Sequence, residues 1–140
     1  MSDCIFCMLA NGEIPTAKLY EDEDFTIILD AAPATKGHAL ILPKAHHANI
    51  FEMPEELTAK AFVLAKKAAA ALKEGMACDG INIVQNNGEA AGQTVFHFHI
   101  HLIPRTSGDD RIVANWKQGS LTDELREEVL SRMEGKISAS

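Results

Sequence analysis

The sequence predicts an α+β protein in which an antiparallel sheet supports one long helix and a C-terminal helix. Three observations lead there. Short β-type runs come first, then a long helical stretch, further β-type runs and a last helical stretch, so strands and helices do not alternate as in a parallel sheet. The link from Asn86 to Gly92 is rich in Gly and Asn and short enough to join antiparallel neighbours. The run Phe96-His97-Phe98-His99-Ile100-His101-Leu102 alternates apolar residues with histidine without a break, which only a strand makes meaningful. With 140 residues, 46% hydrophobic and 24% charged, the chain is expected to form one domain over 1–140, with a flexible tail at about 135–140.

The elements follow in order. Cys4 to Leu9 reads as a short knuckle or helix broken by Asn11-Gly12 and Pro15. Lys18 to Glu21 and Phe25 to Leu29 are β-type runs on either side of the turn Asp22-Glu23-Asp24, hence a hairpin. Lys36 to Pro43 is a strand entered through Gly37 and stopped by proline. Pro54 opens a long amphipathic helix ending at Gly75, with Leu57, Ala61, Leu64, Ala65, Ala68 and Leu72 at helical spacing. Ile81 to Val84 and Val95 to Ile103 read as strands. Ser120 to Met133 is a second helical stretch with Ser120 as N-cap and Leu121, Leu125 and Val129 on one stripe.

Bulk properties exclude several classes. A net charge of -7 opposes a nucleic-acid groove, which needs clustered Lys and Arg, so any phosphate bound here is small and held by local donors. No segment approaches the roughly 18 apolar residues of a membrane span. Met1-Ser2-Asp3-Cys4 has neither the basic region nor the apolar run of a secretion signal, so a cytoplasmic location is expected. Three cysteines without such a signal argue for reduced thiols.

The alternating run carries the chemistry. On a strand, His97, His99 and His101 share one face over roughly 13 Å while Phe96, Phe98, Ile100 and Leu102 bury the other. Two other readings are a surface strand with incidental histidines and a three-histidine metal site. The second suffers because the outer rings are too far apart to meet on one ion. Cys4-x-x-Cys7 can supply half of a tetrahedral zinc site; its rivals are a thioredoxin-like redox pair and two inert core thiols. His38 and Cys78 read as structural.

The motif from His97 to Ile103 resembles the signature of the histidine-triad family, His-φ-His-φ-His-φ-φ with φ apolar. The resemblance spans Cys4 to Arg105 and includes Ile28-Leu29-Asp30, Pro33, Gly37-His38, Pro43-Lys44-Ala45-His46 and Asn86-x-Gly88-x-x-x-Gly92-Gln93-Thr94. It is strongest to the Hint-like adenosine phosphoramidase branch, which implies a five-stranded antiparallel sheet. The implied activity is a nucleotide hydrolase or transferase acting at the α-phosphate of purine nucleotide conjugates, AMP or GMP, through a covalent nucleotidyl-His99. Imidazole suits that role, since its ordinary pKa near 6.5 leaves a lone pair available around neutrality.

By the same resemblance, His101, Gln93 and Thr94 donate to the phosphate or leaving group, and Asp30 accepts from the ribose hydroxyls. Ile5, Phe6, Leu9 and Ile28 wall the nucleobase, and Asn86 belongs to the nucleotide site. His46 and the first triad histidine, His97, complete a structural Zn2+ site with Cys4 and Cys7, with His47 the alternative to His46; no catalytic metal is expected. A homodimer that packs the long helices and extends the sheet is also implied. Dinucleoside polyphosphate hydrolysis and a purine-nucleotide-binding regulatory role with incidental turnover are the alternative functions. The segment from Thr106 departs from the pattern, and Trp116 there is expected to reach an active site or anchor the tail.

Overall fold

The computed structural model describes residues 3–110 and 117–137. Helix α1 (Ile5–Ala10) is followed by strands β1 (Lys18–Glu21), β2 (Phe25–Leu29) and β3 (Ala39–Pro43). Helix α2 (Glu55–Gly75), strands β4 (Gly80–Val84) and β5 (Ile100–Arg105), and helix α3 (Asp123–Met133) complete the order. The five described strands form one antiparallel sheet, as expected, and the structure sets their order as β1-β2-β3-β5-β4.

Local chemistry sets the elements. Asp22 Oδ1 accepts from the backbone N–H of Asp24 and of Phe25, each at 2.8 Å, and this closes the β1–β2 turn. Pro54 precedes α2, and Glu55 and Glu56 in its first turn complement the positive end of the helix. Ala61 and Ala65 are fully buried, so α2 lies close on the sheet and encloses Phe25, Ile27, Ile41, Phe98, Ile100 and Leu102. A smaller cluster of Ala10, Ile28, Leu40 and Leu42 lies under α1, with Phe6 and Leu9 packed on it. Among the described residues, no helix is long and apolar enough to cross a membrane.

Four expectations need correction. The strand expected over Val95 to Ile103 is regular only from Ile100 onward. His97 Nε2 donates to the Pro43 carbonyl at 2.8 Å and His99 Nδ1 donates to the His97 carbonyl at 2.7 Å, so side chains occupy acceptors that a longer ladder would use. Phe96 is 48% exposed and buries no face, whereas Phe98, Ile100 and Leu102 are fully buried. The strand expected from Lys36 begins at Ala39, after Gly37 turns the chain at φ 91° beside Met76 and Pro104. Finally, α3 is capped by Thr122, whose hydroxyl accepts from Leu125 N–H at 3.1 Å, so Ser120 and Leu121 lie outside the helix. Trp116 and residues 138–140 of the expected tail lie outside the described residues.

Candidate active site

The histidine row sits where the chain enters β5 on the side of the sheet covered by α1. His97 and His99 are buried and His101 is half-buried. The rings of His99 and His101 stand 4.9 Å apart, and Phe6 of α1 meets the His99 ring edge-on at 4.9 Å. Because the His97 carbonyl can only accept, the proton of neutral His99 sits on Nδ1 and the lone pair on Nε2. Burial lowers the His99 pKa, with the His97 carbonyl and the Asp30 charge opposing that shift, so a neutral ring is favoured near neutrality.

A second tautomer chain fixes His101. The backbone N–H of Ala34 donates to His38 Nδ1 at 2.9 Å, which leaves the His38 proton on Nε2. That Nε2 lies 2.9 Å from His101 Nδ1, so His38 donates and His101 retains an Nε2–H. Burial, and then the neighbouring His99 and His38, pull the His101 pKa down to about 4. His38 is also lowered by burial, while Asp30 Oδ2, 3.5 Å from its Nε2, works the other way. His38 is thus part of the site although the sequence reads it as structural. Beyond the Gly37-His38 pair in the resemblance, its contact with His101 is set by the register, which lays the start of β3 beside β5.

The remaining expected residues divide. Asp30 lies beside His38 and also closes a turn, its Oδ1 accepting from Ala32 N–H at 2.9 Å. Phe6 and Leu9 pack on Ile28, which is buried core, whereas Ile5 is 43% exposed. Asn86 is half-buried, with its amide beside Gly92. Thr94 is exposed, leaving its hydroxyl accessible. Gln93 makes hydrogen bonds within the chain. It is buried, its Nε2 donates to the Ala48 and Val95 carbonyls at 2.6 and 3.0 Å, and its Oε1 accepts from Gly88 N–H at 2.8 Å. With both amide hydrogens engaged, the side chain braces the turn that delivers the histidines.

Cys4, Cys7, His46 and His97 converge, with ligand atoms all within 4.8 Å of one another. His97 Nδ1 is 3.3 Å from each sulfur and 3.2 Å from His46 Nδ1, and Cys7 Sγ is 3.3 Å from His46 Nδ1. A tetrahedron with metal–sulfur bonds of about 2.3 Å and metal–nitrogen bonds of about 2.0–2.1 Å has edges of roughly 3.3–3.6 Å between such atoms. The tautomer fits too: His97 Nε2–H is engaged by the Pro43 carbonyl, which turns the Nδ1 lone pair toward the thiols. Burial holds the His97 pKa down to about 4, favouring the neutral ring a metal requires. His46, not His47, joins this group. The described residues therefore fit a closed Cys2His2 site.

The HIT domain family matches residues 11–108. Adenosine 5'-monophosphoramidase HNT1 of Saccharomyces cerevisiae is 39% identical over 94% of this chain and 84% of its own length. The crystal structure of a HIT family member from Bacillus subtilis superposes with a TM-score of 0.90 at 39% identity, covering 99% of this chain and 100% of that one. A Zn-bound histidine triad family protein from Mycobacterium smegmatis superposes with a TM-score of 0.75 at 36% identity, covering 96% of this chain and 98% of that one. With the family match running through the triad and the tautomer network behind it, the chain belongs to the HIT family.

Proposed function

We propose that this chain hydrolyses purine nucleotide conjugates of the adenosine 5'-phosphoramidate type through a covalent nucleotidyl-His99. The hydrogen bond from His99 Nδ1 to the His97 carbonyl carries the reading, because it leaves the Nε2 lone pair as the ring's nucleophilic atom. Nε2 forms a bond to the α-phosphorus, and the electron pair of the phosphorus–nitrogen bond leaves with the nitrogen, which takes up a proton from solvent and departs as the amine. Water then breaks the phosphorus–His99 bond and releases the nucleoside monophosphate with a free imidazole. His101 Nε2–H and the Thr94 hydroxyl stabilise charge on the non-bridging oxygens or the departing group. Asp30 takes the ribose hydroxyls, Asn86 lies against the nucleotide, and Phe6, Leu9, Ile28 and the exposed edge of Ile5 line the base. The activity named for the yeast relative supports the substrate class.

Zn2+ held by Cys4, Cys7, His46 and His97 fills a structural role, tying α1 and its Phe6 to the histidine row. No step of the reaction passes through it. The described strand β4 forms an outer edge with Ile83 47% exposed, which supports a homodimer extended at that edge, and a cytoplasmic setting suits two reduced thiols.

Incubation with a labelled adenosine phosphoramidate, acid quenching and peptide mass spectrometry test the mechanism. Label on His99 is the expected result. Turnover by a His99→Ala variant at the wild-type rate would refute it.

A further inference from the structure

Beyond its place in the metal site, the Cys4–Cys7 pair is arranged for oxidation. Cys4 caps the N-terminus of α1, and its sulfur accepts from Cys7 N–H at 3.2 Å. The two sulfurs lie within 4.8 Å of each other. Cys4 is half-buried and Cys7 is 8% exposed, so a small oxidant meets Cys4 first with Cys7 behind it. An accessible thiol beside a second, resolving thiol closes into a disulfide rather than stopping at a sulfenic acid. Cys4 has an extended backbone outside the helical turns, which leaves its sulfur able to swing onto that of Cys7.

Helix α1 is anchored differently at its two ends. At the C-terminal end Ala10 is fully buried, its carbonyl accepts from the Thr26 hydroxyl at 2.7 Å, and Asn11 Nδ2 donates to the Lys44 carbonyl at 3.0 Å. At the N-terminal end α1 reaches the histidine row through its two sulfurs, each 3.3 Å from His97 Nδ1, and through the Phe6 ring, 4.9 Å from that of His99. A disulfide sulfur has neither the hydrogen to donate to a ring nitrogen nor the negative charge of a metal ligand. Six residues are too few to hold a helix without docking, so loss of the sulfur ties loosens the turn that carries Ile5 and Phe6.

We propose that Cys4 and Cys7 form a reversible disulfide on exposure to a hydroperoxide, and that this link releases the N-terminal half of α1 from the histidine row. The Cys4 sulfur takes the terminal oxygen of the peroxide: an S–O bond forms, the O–O bond breaks, and the departing oxygen leaves with the thiol proton as water or an alcohol. The Cys7 sulfur then attacks the Cys4 sulfur; the S–S bond forms, the S–O bond breaks, and hydroxide leaves with the Cys7 proton as water. The two thiols give up two electrons and the peroxide takes them. A dithiol reductant reverses the link by exchange. Any Zn2+ held by the four donors is released, since two of its ligands are consumed. The effect on nucleotide binding rests on the base site proposed above, to which Ile5 and Phe6 belong.

The full chain, treated with equimolar hydrogen peroxide and quenched with an alkylating agent, is expected to lose two hydrogens in the peptide that holds Cys4 and Cys7, with Cys78 alkylated. Amide hydrogen exchange over residues 5–9 should then run at least tenfold faster, AMP affinity by calorimetry should fall at least tenfold, and a dithiol reductant should restore both. Cys78→Ser is expected to respond as the wild type does. Failure of the link to form, a link to Cys78, or a Cys4–Cys7 link that leaves hydrogen exchange unchanged overturns the proposal. Unchanged AMP affinity despite faster exchange, or a reduced chain that does not bind AMP, contradicts the proposed base site instead, and the link and the exchange rates still decide the redox proposal.

Discussion

His38 and His101 face each other nitrogen to nitrogen at 2.9 Å, although 63 residues separate them in the chain. The contact is directional. Ala34 N–H occupies His38 Nδ1, so the shared hydrogen belongs to His38 Nε2 and His101 keeps its outer hydrogen. His38 therefore positions a donor without needing to touch the substrate.

Replacing His38 by Ala is expected to lower kcat on an adenosine phosphoramidate about 10²-fold, the scale seen for one misplaced donor, with KM changed much less. His38→Gln, which keeps an N–H at the end of its side chain, is expected to recover part of the loss. Steady-state kinetics on both variants checks this, and equal losses in the two would show that the hydrogen bond is not the cause.

His99→Ala removes the proposed nucleophile and is expected to lower kcat by about 10⁴-fold or more. AMP affinity measured by calorimetry should stay within several-fold of wild type, because the proposed base and ribose contacts lie on α1 and just after β2. A variant that neither binds nor turns over would indicate a collapsed pocket instead.

One zinc per chain is expected by elemental analysis of protein prepared with the metal, and replacing Cys7 by Ser should reduce that ratio steeply. Since the metal binds the folded chain preferentially, a free concentration a thousandfold above Kd adds about 4 kcal/mol to stability. Chelation should thus lower Tm for the wild type and leave the Cys7→Ser variant nearly unmoved in a thermal scan.

The pKa of His101, about 4 in the folded chain, lies below the ordinary value of 6.5 that it regains on unfolding. Between those values the unfolded chain binds more protons. The contribution of His101 to stability is therefore fully present above about 6.5 and is lost as pH falls toward about 4. NMR titration of the ring protons should show His101 neutral at pH 6, and His101→Gln should flatten the decline of Tm across that window. A midpoint near 6.5 in the native protein would contradict the burial that sets the shift.

Much of the protein was legible in its residue order. Periodicity set α2 between Pro54 and Gly75, the acidic turn set the β1–β2 hairpin, and the alternation from Phe96 to Leu102 marked the site. These are local signals, because helix and strand repeats and the residues that stop them are written within a few positions of one another. Where the alternation ceases to be a strand was not local. Pro43 and His97 are 54 residues apart, and their hydrogen bond helps end the ladder before Ile100.

The residue order determined the fold class, the triad and the thiol pair. Only the tertiary structure decided which nitrogen of each ring carries its proton, that Gln93 braces a turn, that His38 stands behind His101, and that His46 rather than His47 meets the thiols. A sequence specifies which groups are available. The protonation and ligand roles of an imidazole depend on acceptors and donors brought from distant strands, and these meet only when the sheet has set its register.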